Sequence, residues 1–121
     1  MNKIYHRNTT YYGKTTYIIL EDGYALVMVS VMDDVKTIAV IHDLIVHDKR
    51  RGEGLGRELL EEACKEAVRM GAYVARLSVA KNSWLEEWYK RHGFHNVGIV
   101  EELTGHTVLQ KDLQYEEEDI Q

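Results

Sequence analysis

The strongest chemical signal in the sequence is a loop rich in arginine and glycine at residues 50–57, Arg-Arg-Gly-Glu-Gly-Leu-Gly-Arg. Its three glycines stand at alternate positions, so backbone N–H groups can turn toward one point without side-chain obstruction. The residues that follow predict a helix, whose first N–H groups and positive dipole end would face the same point. The loop therefore predicts an anion site suited to phosphate or pyrophosphate. The alternative is a sharp strand-to-helix turn in which the glycines serve local geometry only.

The spacing within this loop excludes two other nucleotide-binding motifs. A Walker A loop requires Gly-Lys-Ser or Gly-Lys-Thr, whereas Gly56 is followed by Arg57 and Glu58. A dinucleotide-binding fingerprint requires a third glycine three residues after the second, and Leu59 occupies that position. Neither motif explains the loop.

The elements that must position the loop are strands before it and a helix after it. Turn signals at residues 21–23 and 33–34 separate three β-rich segments, which are residues 15–20, 24–32 and 36–46. Their close spacing favours an antiparallel meander. Residues 4–7 are expected to add an earlier strand, and residues 8–14 are expected to form a loop.

A change in periodicity after the loop predicts a βαβ unit. Apolar residues recur at helical spacing over residues 55–70, opposite a polar face of arginine, lysine and glutamate side chains. Residues 73–80 alternate as a strand does, and the side chains expected on one face are Tyr73, Ala75, Leu77 and Val79. A strand, a helix and a strand in this order predict two parallel strands.

A second helix is predicted to start at Ser83, because Ser83-x-x-Glu86 forms a capping box. It is expected to stop at Gly93 and to bury four residues, Trp84, Leu85, Trp88 and Tyr89. Residues 94–100 and 107–113 then predict a terminal hairpin.

Length and composition limit the chain to one small domain. The 121 residues are 45% hydrophobic, and we expect a single domain at residues 1–113 followed by a solvated acidic tail at residues 114–121. The longest apolar run, residues 24–32, is short of the roughly 20 residues that a membrane span requires, and no signal-peptide core is evident. The lone Cys64, expected in the core, indicates a reducing, cytoplasmic setting.

The charge pattern restricts the partners. The net charge of −5 argues against a nucleic-acid partner, although the acidic tail accounts for most of it and leaves a local positive site around the glycine loop. His92 and His95 flank a turn without further ligands, so no metal site is predicted.

Two motifs in this order resemble those of the GNAT superfamily of acyl-CoA-dependent N-acyltransferases. Arg51-x-x-Gly54-x-Gly56 is similar to the family pattern R/Q-x-x-G-x-G/A. Residues 82–94 resemble the family segment N-x-x-A-x-x-L-Y-x-K-x-G-F, with departures of similar character at Leu85, Trp88 and Arg91.

The resemblance covers roughly residues 15–113 and includes residues 41–46, which look like the family's central strand. It implies the GNAT fold, an α/β (α+β) domain with a central mixed, mostly antiparallel sheet. A βαβ acyl-CoA-binding core and a second, C-terminal helix and hairpin complete that fold.

The same resemblance implies an acetyl-CoA site. The loop residues that would hold the pyrophosphate, mainly through backbone N–H groups, are Arg51, Gly52, Glu53, Gly54, Leu55, Gly56 and Arg57. The pantetheine arm would add like a strand in the gap between the two parallel strands, against the backbone of Leu44, Ile45 and Val46 and opposite Asn82. Glu53 departs from the pattern, since a carboxylate beside a pyrophosphate is unfavourable unless it points to solvent.

Acyl transfer to an amine requires a neutral nucleophile, an oxyanion donor and a proton for the leaving thiolate. The resemblance gives the last role to Tyr89, whereas spacing alone would place that side chain in the apolar face of its helix. A backbone N–H near Ile45 or Val46 would serve the oxyanion. His42 and Asp43 are candidates for relaying the amine proton, and strand alternation would direct their side chains to opposite faces. His42 could instead be a hydrogen-bonded strand histidine.

The resemblance implies an N-acetyltransferase that moves an acetyl group from acetyl-CoA to a primary amine in a ternary complex. The alternative is a GNAT-fold module that binds acyl-CoA as a sensor or interaction unit. The acceptor stays unidentified, and a homodimer is expected as the assembly. The family places two helices between its first two strands, which residues 8–14 are too short to form. We therefore expect an acceptor site that is open or completed by a second subunit.

Overall fold

The computed structural model describes residues 2–113, and within this range one sheet of seven strands carries two helices. The elements in chain order are β1 (Lys3–Thr9), β2 (Gly13–Leu20), β3 (Ala25–Met32), β4 (Ile38–Val46), α1 (Leu55–Arg69), β5 (Val74–Val79), α2 (Trp84–Arg91), β6 (His95–Val100) and β7 (Thr107–Asp112). A short 3-10 turn, Asp48–Arg50, joins β4 to the glycine loop. The acidic tail predicted at residues 114–121 lies outside the described residues.

The sheet has the mixed, mostly antiparallel topology expected from the sequence. Its strand order is β1-β2-β3-β4-β5-β7-β6, and β4 with β5 is the parallel pair in this part of the chain. Helix α1 makes the crossover between these two strands, so the predicted βαβ unit is confirmed. The terminal hairpin is also confirmed, with β7 inserted between β5 and β6.

The predicted loop at residues 8–14 was mostly wrong. Strand β1 runs on to Thr9 and β2 starts at Gly13, so residues 10–12 alone connect them. The backbone N–H of Thr10 donates to the Gly13 carbonyl at 2.7 Å, which closes a tight hairpin. This part of β1 is exposed at the edge of the sheet and carries polar side chains, so it lacks the alternation that marks a half-buried strand.

Helix α1 covers one face of the sheet and forms the core with it. Alternate residues of β2 and β3 turn inward under the helix, and the largest fully buried side chains are Ile18, Leu20, Val27, Val29, Leu59 and Leu109. The opposite side chains of these strands are half-buried or exposed, including Tyr17 with 39% of its surface exposed. The helix therefore fixes which face of the sheet is apolar core.

Three side chains of β1 fasten this strand to the polar face of α1. The donor–acceptor distances are 2.6–2.7 Å, and the pairs are Lys3 with Glu58, Tyr5 with Glu62 and Arg7 with Glu66. Two residues along a strand advance about 6.7 Å and four along a helix advance about 6.0 Å, so the two repeats match over this length. The polar face of α1 is therefore partly a packing surface, and Glu66 retains only 3% exposure.

Helix α2 starts and stops where the sequence predicts, but its buried face differs from the prediction. The Ser83 hydroxyl accepts from the Glu86 backbone N–H at 3.3 Å, which is one half of the predicted capping box, while the Ser83 N–H donates to the Ala80 carbonyl at 3.2 Å. Trp84 is 72% exposed and Leu85 is 37% exposed, whereas Glu86 and Tyr89 are buried. The helix contacts the domain along a narrower strip than its apolar residues suggest. Neither helix within residues 2–113 has the length and apolar character that crossing a bilayer would require.

Residue Tyr73 also departs from its predicted position. It immediately precedes β5 and is 59% exposed, while Ala75, Leu77 and Val79 are buried as expected. The alternation of buried and less buried side chains therefore begins at Ala75, the second residue of β5.

Candidate active site

The central cavity lies where β4 and β5 separate. These strands pair over Ile38–Val40 and Val74–Arg76 and diverge beyond that point. A cavity of about 430 Å³ occupies the gap. Its lining comes from β4, β5, α2 and the terminal hairpin, as Val40, Ile41, His42, Asp43, Arg76, Leu77, Ser78, Tyr89, Ile99, Glu101 and Val108. The fold thus brings together all three predicted catalytic residues, His42, Asp43 and Tyr89.

An irregularity in β4 shapes this cavity. Asp43 has φ +53°, a left-handed conformation that aspartate tolerates better than most residues. The register with β3 shifts opposite this point, between Leu26 and Met28. The regular alternation that would place His42 and Asp43 on opposite faces is therefore broken, and both residues line the same cavity.

Tyr89 presents the most distinctive polar group in the cavity. The side chain is 7% exposed and packs edge-on against Trp88 and Phe94, at centroid distances of 5.0 and 5.6 Å. Its hydroxyl makes no hydrogen bond within residues 2–113 and is not enclosed, because no buried side-chain polar atom of these residues lacks a partner. Burial raises the pKa of Tyr89 to about 12. The phenol therefore keeps its proton near neutral pH and can donate it to a basic atom inside the cavity.

His42 is held on the wall of the cavity. Its Nε2 lies 3.1 Å from the Ser30 hydroxyl on β3, and its ring is half-buried. Asp43 beside it is exposed and makes no hydrogen bond within the described residues. These two side chains place an imidazole and a carboxylate on the wall of the same cavity.

The glycine loop forms at the carboxyl end of β4, as the sequence predicts. Gly52 and Gly54 have φ values of +83° and +78°, which side chains with a Cβ rarely adopt. Gly54 is the N-cap residue of α1. Because glycine has no side chain, Gly54 provides no side-chain acceptor for the first N–H groups of the helix. Gly56 lies inside the first turn, where an added Cβ would meet the Trp88 ring at 3.6 Å.

The arginines of the loop divide into two groups. Arg50 bonds Glu53 at 2.9 Å and also pairs with Asp22, so it fastens the loop to the turn before β3. Arg51 and Arg57 are 70% and 69% exposed and each makes one surface ion pair. Glu53, the departure noted in the sequence, thus turns toward Arg50, which leaves Arg51 and Arg57 as the exposed arginines of the loop.

The β4 residues predicted to bind the pantetheine arm lie beyond the last β4–β5 pair. Ile45 and Val46 pair with β3 on one edge, whereas β5 does not pair with them on the other. The Val46 carbonyl accepts a long bond of 3.3 Å from Arg51, and Leu44 packs on the core. An open strand edge beside the glycine loop fits an arm that carries peptide-like amides. Asn82 lies exposed before α2 with φ +61°.

One part of the cavity lining was missed from the sequence. Glu101 follows β6 and lines the central cavity together with Ile99. A second cavity of about 560 Å³ contains Cys64, which is half-buried beside α2 and Lys111 and not fully enclosed in the core as expected. Only the tertiary pairing of the hairpin with β5 places Glu101 and Ile99 at the cavity, and no local pattern marks them. Among the described residues no cluster of side chains suits a metal ion.

The sequence and fold of this site match one family. The profile described as an acetyltransferase (GNAT) domain matches residues 13–96. Because this match spans more than half of the chain, the protein belongs to the GNAT acetyltransferase family. A search of curated proteins found no match.

Solved structures of acetyltransferases have the same fold. Nourseothricin acetyltransferase is 20% identical with a TM-score of 0.69, and the alignment covers 94% of this chain and 86% of that one. PaiA N-acetyltransferase from Thermoplasma acidophilum, in complex with coenzyme A, is 16% identical with a TM-score of 0.65 and coverages of 81% and 59%. N-acetylglutamate synthase from Neisseria gonorrhoeae, complexed with coenzyme A and N-acetyl-glutamate, is 15% identical with a TM-score of 0.69 and coverages of 84% and 26%. At these identities the likeness concerns the fold.

Proposed function

We propose that this protein is an N-acetyltransferase that transfers an acetyl group from acetyl-CoA to a primary amine by direct attack in a ternary complex. The observation that supports this most is Tyr89, a side chain that is 7% exposed, makes no hydrogen bond within residues 2–113 and lines the cavity shared with His42 and Asp43. A structural tyrosine buried to this extent normally finds a hydrogen-bond partner.

The residues present fit acetyl-CoA, which supplies the activated acetyl group. The left-handed glycines and the start of α1 offer backbone N–H groups to a pyrophosphate, with Arg51 and Arg57 beside them. The open edge of β4 at Leu44, Ile45 and Val46 leads from that loop to the cavity. Glu53 does not oppose this binding, because its charge is paired with Arg50.

The reaction requires the chain to handle two protons. An ordinary aliphatic ammonium has a pKa of about 10.4, so deprotonation at pH 7 costs about 4–5 kcal/mol. His42, or Asp43 through water, accepts this proton as the amine nitrogen bonds to the acetyl carbon. A backbone N–H of Ile45 or Val46 stabilises the oxyanion. Tyr89 donates its proton to the sulfur when the C–S bond breaks, and it regains a proton from solvent.

Substituting Tyr89 by phenylalanine tests the acid. The hydroxyl makes no hydrogen bond within the described residues, so Y89F retains its packing and its melting temperature. We expect turnover to fall about a hundredfold or more while affinity for CoA stays the same. Tyr11→Phe removes the same hydroxyl from a side chain that is 91% exposed and provides the matched control. Unchanged turnover in Y89F would refute the assignment of the acid.

The second candidate is an acyl-CoA-binding module without catalysis. It is favoured by the three-residue connection at residues 10–12, which is too short to hold the two helices that wall the acceptor site in the family. A thiol-release assay with acetyl-CoA and a panel of amines separates the two functions. CoA binding by calorimetry without thiol release across the panel would favour the module. Completion of the acceptor site by a second subunit stays a prediction.

A further inference from the structure

The charges around the central cavity are unevenly balanced. Its charged side chains are two carboxylates, Asp43 and Glu101, and one guanidinium, Arg76. Arg76 donates from Nε to Gln110 at 2.7 Å on the neighbouring strand. Neither carboxylate has a hydrogen bond or ion pair within residues 2–113. The cavity therefore presents an unneutralised negative charge to a molecule that enters it.

The backbone holds Glu101 firmly at the cavity. Its N–H donates to the His106 carbonyl at 2.9 Å, and its own carbonyl accepts from the Gly105 N–H at 2.8 Å. These two bonds fix the end of β6 against the start of β7, so the exposed Glu101 side chain starts from a fixed position. The next residue, Glu102, lies in the turn and does not line the cavity.

An independent feature marks this cavity as a place for a ligand. The Tyr89 side chain is more than nine-tenths buried, lines the same cavity and has an unpartnered hydroxyl within the described residues. The carboxylates of Asp43 and Glu101 therefore belong to the space in which a reacting molecule would meet that hydroxyl. This observation separates them from acidic residues scattered over the surface.

We infer that Glu101, together with Asp43, selects an acceptor amine that carries a second positive charge, such as an aliphatic diamine or an amine with a neighbouring cation. This inference rests on the proposed acetyl transfer and names the acceptor class for the same site. One ammonium group enters as the nucleophile and loses its proton, while the second remains charged and pairs with Glu101. An acceptor with a carboxylate in place of the second ammonium is repelled.

Three probes of equal length test the selection. Butane-1,4-diamine, butylamine and 4-aminobutanoate share the reacting aminomethyl group and differ in a distal positive, neutral or negative charge. We expect kcat/KM, measured by thiol release with acetyl-CoA, to be highest for the diamine and at least about tenfold lower for the aminobutanoate. Added salt should narrow the difference.

The variant Glu101→Gln removes the charge and retains the side-chain shape. We expect the ratio of kcat/KM for diamine to that for butylamine to fall roughly tenfold, through KM for the diamine rather than kcat. Glu102→Gln is the matched control and should leave the ratio unchanged, because that side chain does not line the cavity. Equal ratios in wild type and Glu101→Gln would overturn the role of Glu101.

The outcomes for the inference and for the proposed function are distinguishable. If all three amines react equally, or the aminobutanoate reacts best, the inference is overturned while acetyl transfer is upheld. If none of the three reacts, the proposed function fails for these amines, and calorimetry with butane-1,4-diamine and the CoA-bound protein decides the inference. Tighter binding of diamine than of butylamine, weakened by Glu101→Gln, would support it, and equal or absent binding would overturn it.

Discussion

Substituting Glu66 by alanine removes a carboxylate that binds side chains of both β1 and β2 to α1. The carboxylate accepts from Arg7 at 2.7 and 3.0 Å and from the buried Thr16 hydroxyl at 2.7 Å, and Arg69 lies 3.9 Å away. In Glu66→Ala the Thr16 hydroxyl, 2% exposed, keeps no acceptor, while the half-exposed Arg7 returns to water.

The structure sets the expected magnitude of this loss. A buried hydroxyl left without a partner costs about 1–3 kcal/mol, and lost hydrogen bonds to a buried carboxylate add to this. Because solvent around the half-exposed Arg7 screens its ion pair with Glu66, that pair adds less than a buried one would. We therefore expect Glu66→Ala to lose about 2–4 kcal/mol of unfolding free energy. For a domain of this size the melting temperature should fall by about 10 °C.

The effect should depend on pH. Burial by itself would raise the pKa of Glu66, but hydrogen bonds from Arg7 and Thr16 outweigh it and hold the pKa below its ordinary value. The folded state therefore binds this proton more weakly than the unfolded state does. The stabilisation is complete above the unfolded pKa of about 4.3 and is lost as the pH falls through the folded pKa. The difference between wild type and Glu66→Ala should accordingly shrink in acid.

Urea unfolding at neutral and acidic pH measures both quantities. Glu61→Ala, on the same helix with a side chain 58% exposed, is the control and should change stability by less than about 0.5 kcal/mol. A Glu66→Ala variant as stable as this control at neutral pH would refute the reasoning. So would a loss that stays the same at every pH.

Three further predictions concern other parts of the fold. Gly13→Ala places a Cβ 2.2 Å from the Val31 carbonyl oxygen, so it should destabilise the domain by more than about 2 kcal/mol in urea unfolding, and a normal midpoint would contradict the close approach. Ser83→Ala removes the cap on the Glu86 N–H and should cost about 1 kcal/mol, with Ser83→Asp restoring it. Burial raises the pKa of the Cys64 thiol, so its alkylation at pH 8 should be much slower than that of a free thiol, and an equal rate would show that the thiol is accessible.

Local sequence patterns predicted most of the scaffold because the corresponding interactions are local. The glycines of residues 50–57 and the apolar spacing of residues 55–70 predicted a phosphate-type loop at the start of a helix, and the structure has left-handed glycines and α1 there. The capping box at Ser83 placed the start of α2 for the same reason. In each case the backbone conformation is specified by residues within one or two turns of chain.

Predictions failed where the environment of a side chain depends on a distant element. The sequence places Glu66 on a solvated helix face. In the structure its carboxylate binds Arg7 of β1, which lies 59 residues away in the sequence. Trp84 was predicted to be buried because it is large and apolar. In the structure it is exposed, and the buried residues of α2 are Glu86 and Tyr89. The roles assigned to His42, Asp43 and Tyr89 remain predictions, although the structure brings these residues to one cavity.

The sequence by itself determined the order of strands and helices, the glycine loop and the resemblance to GNAT acetyltransferases, since each rests on residues close together in the chain. Only the tertiary structure decided what faces the cavity. The divergence of β4 from β5 opens the gap, and the insertion of β7 beside β5 brings Glu101 into it. These are contacts between segments far apart in the chain, which strand alternation and helical periodicity do not encode. The lining of the cavity is therefore a property of the fold.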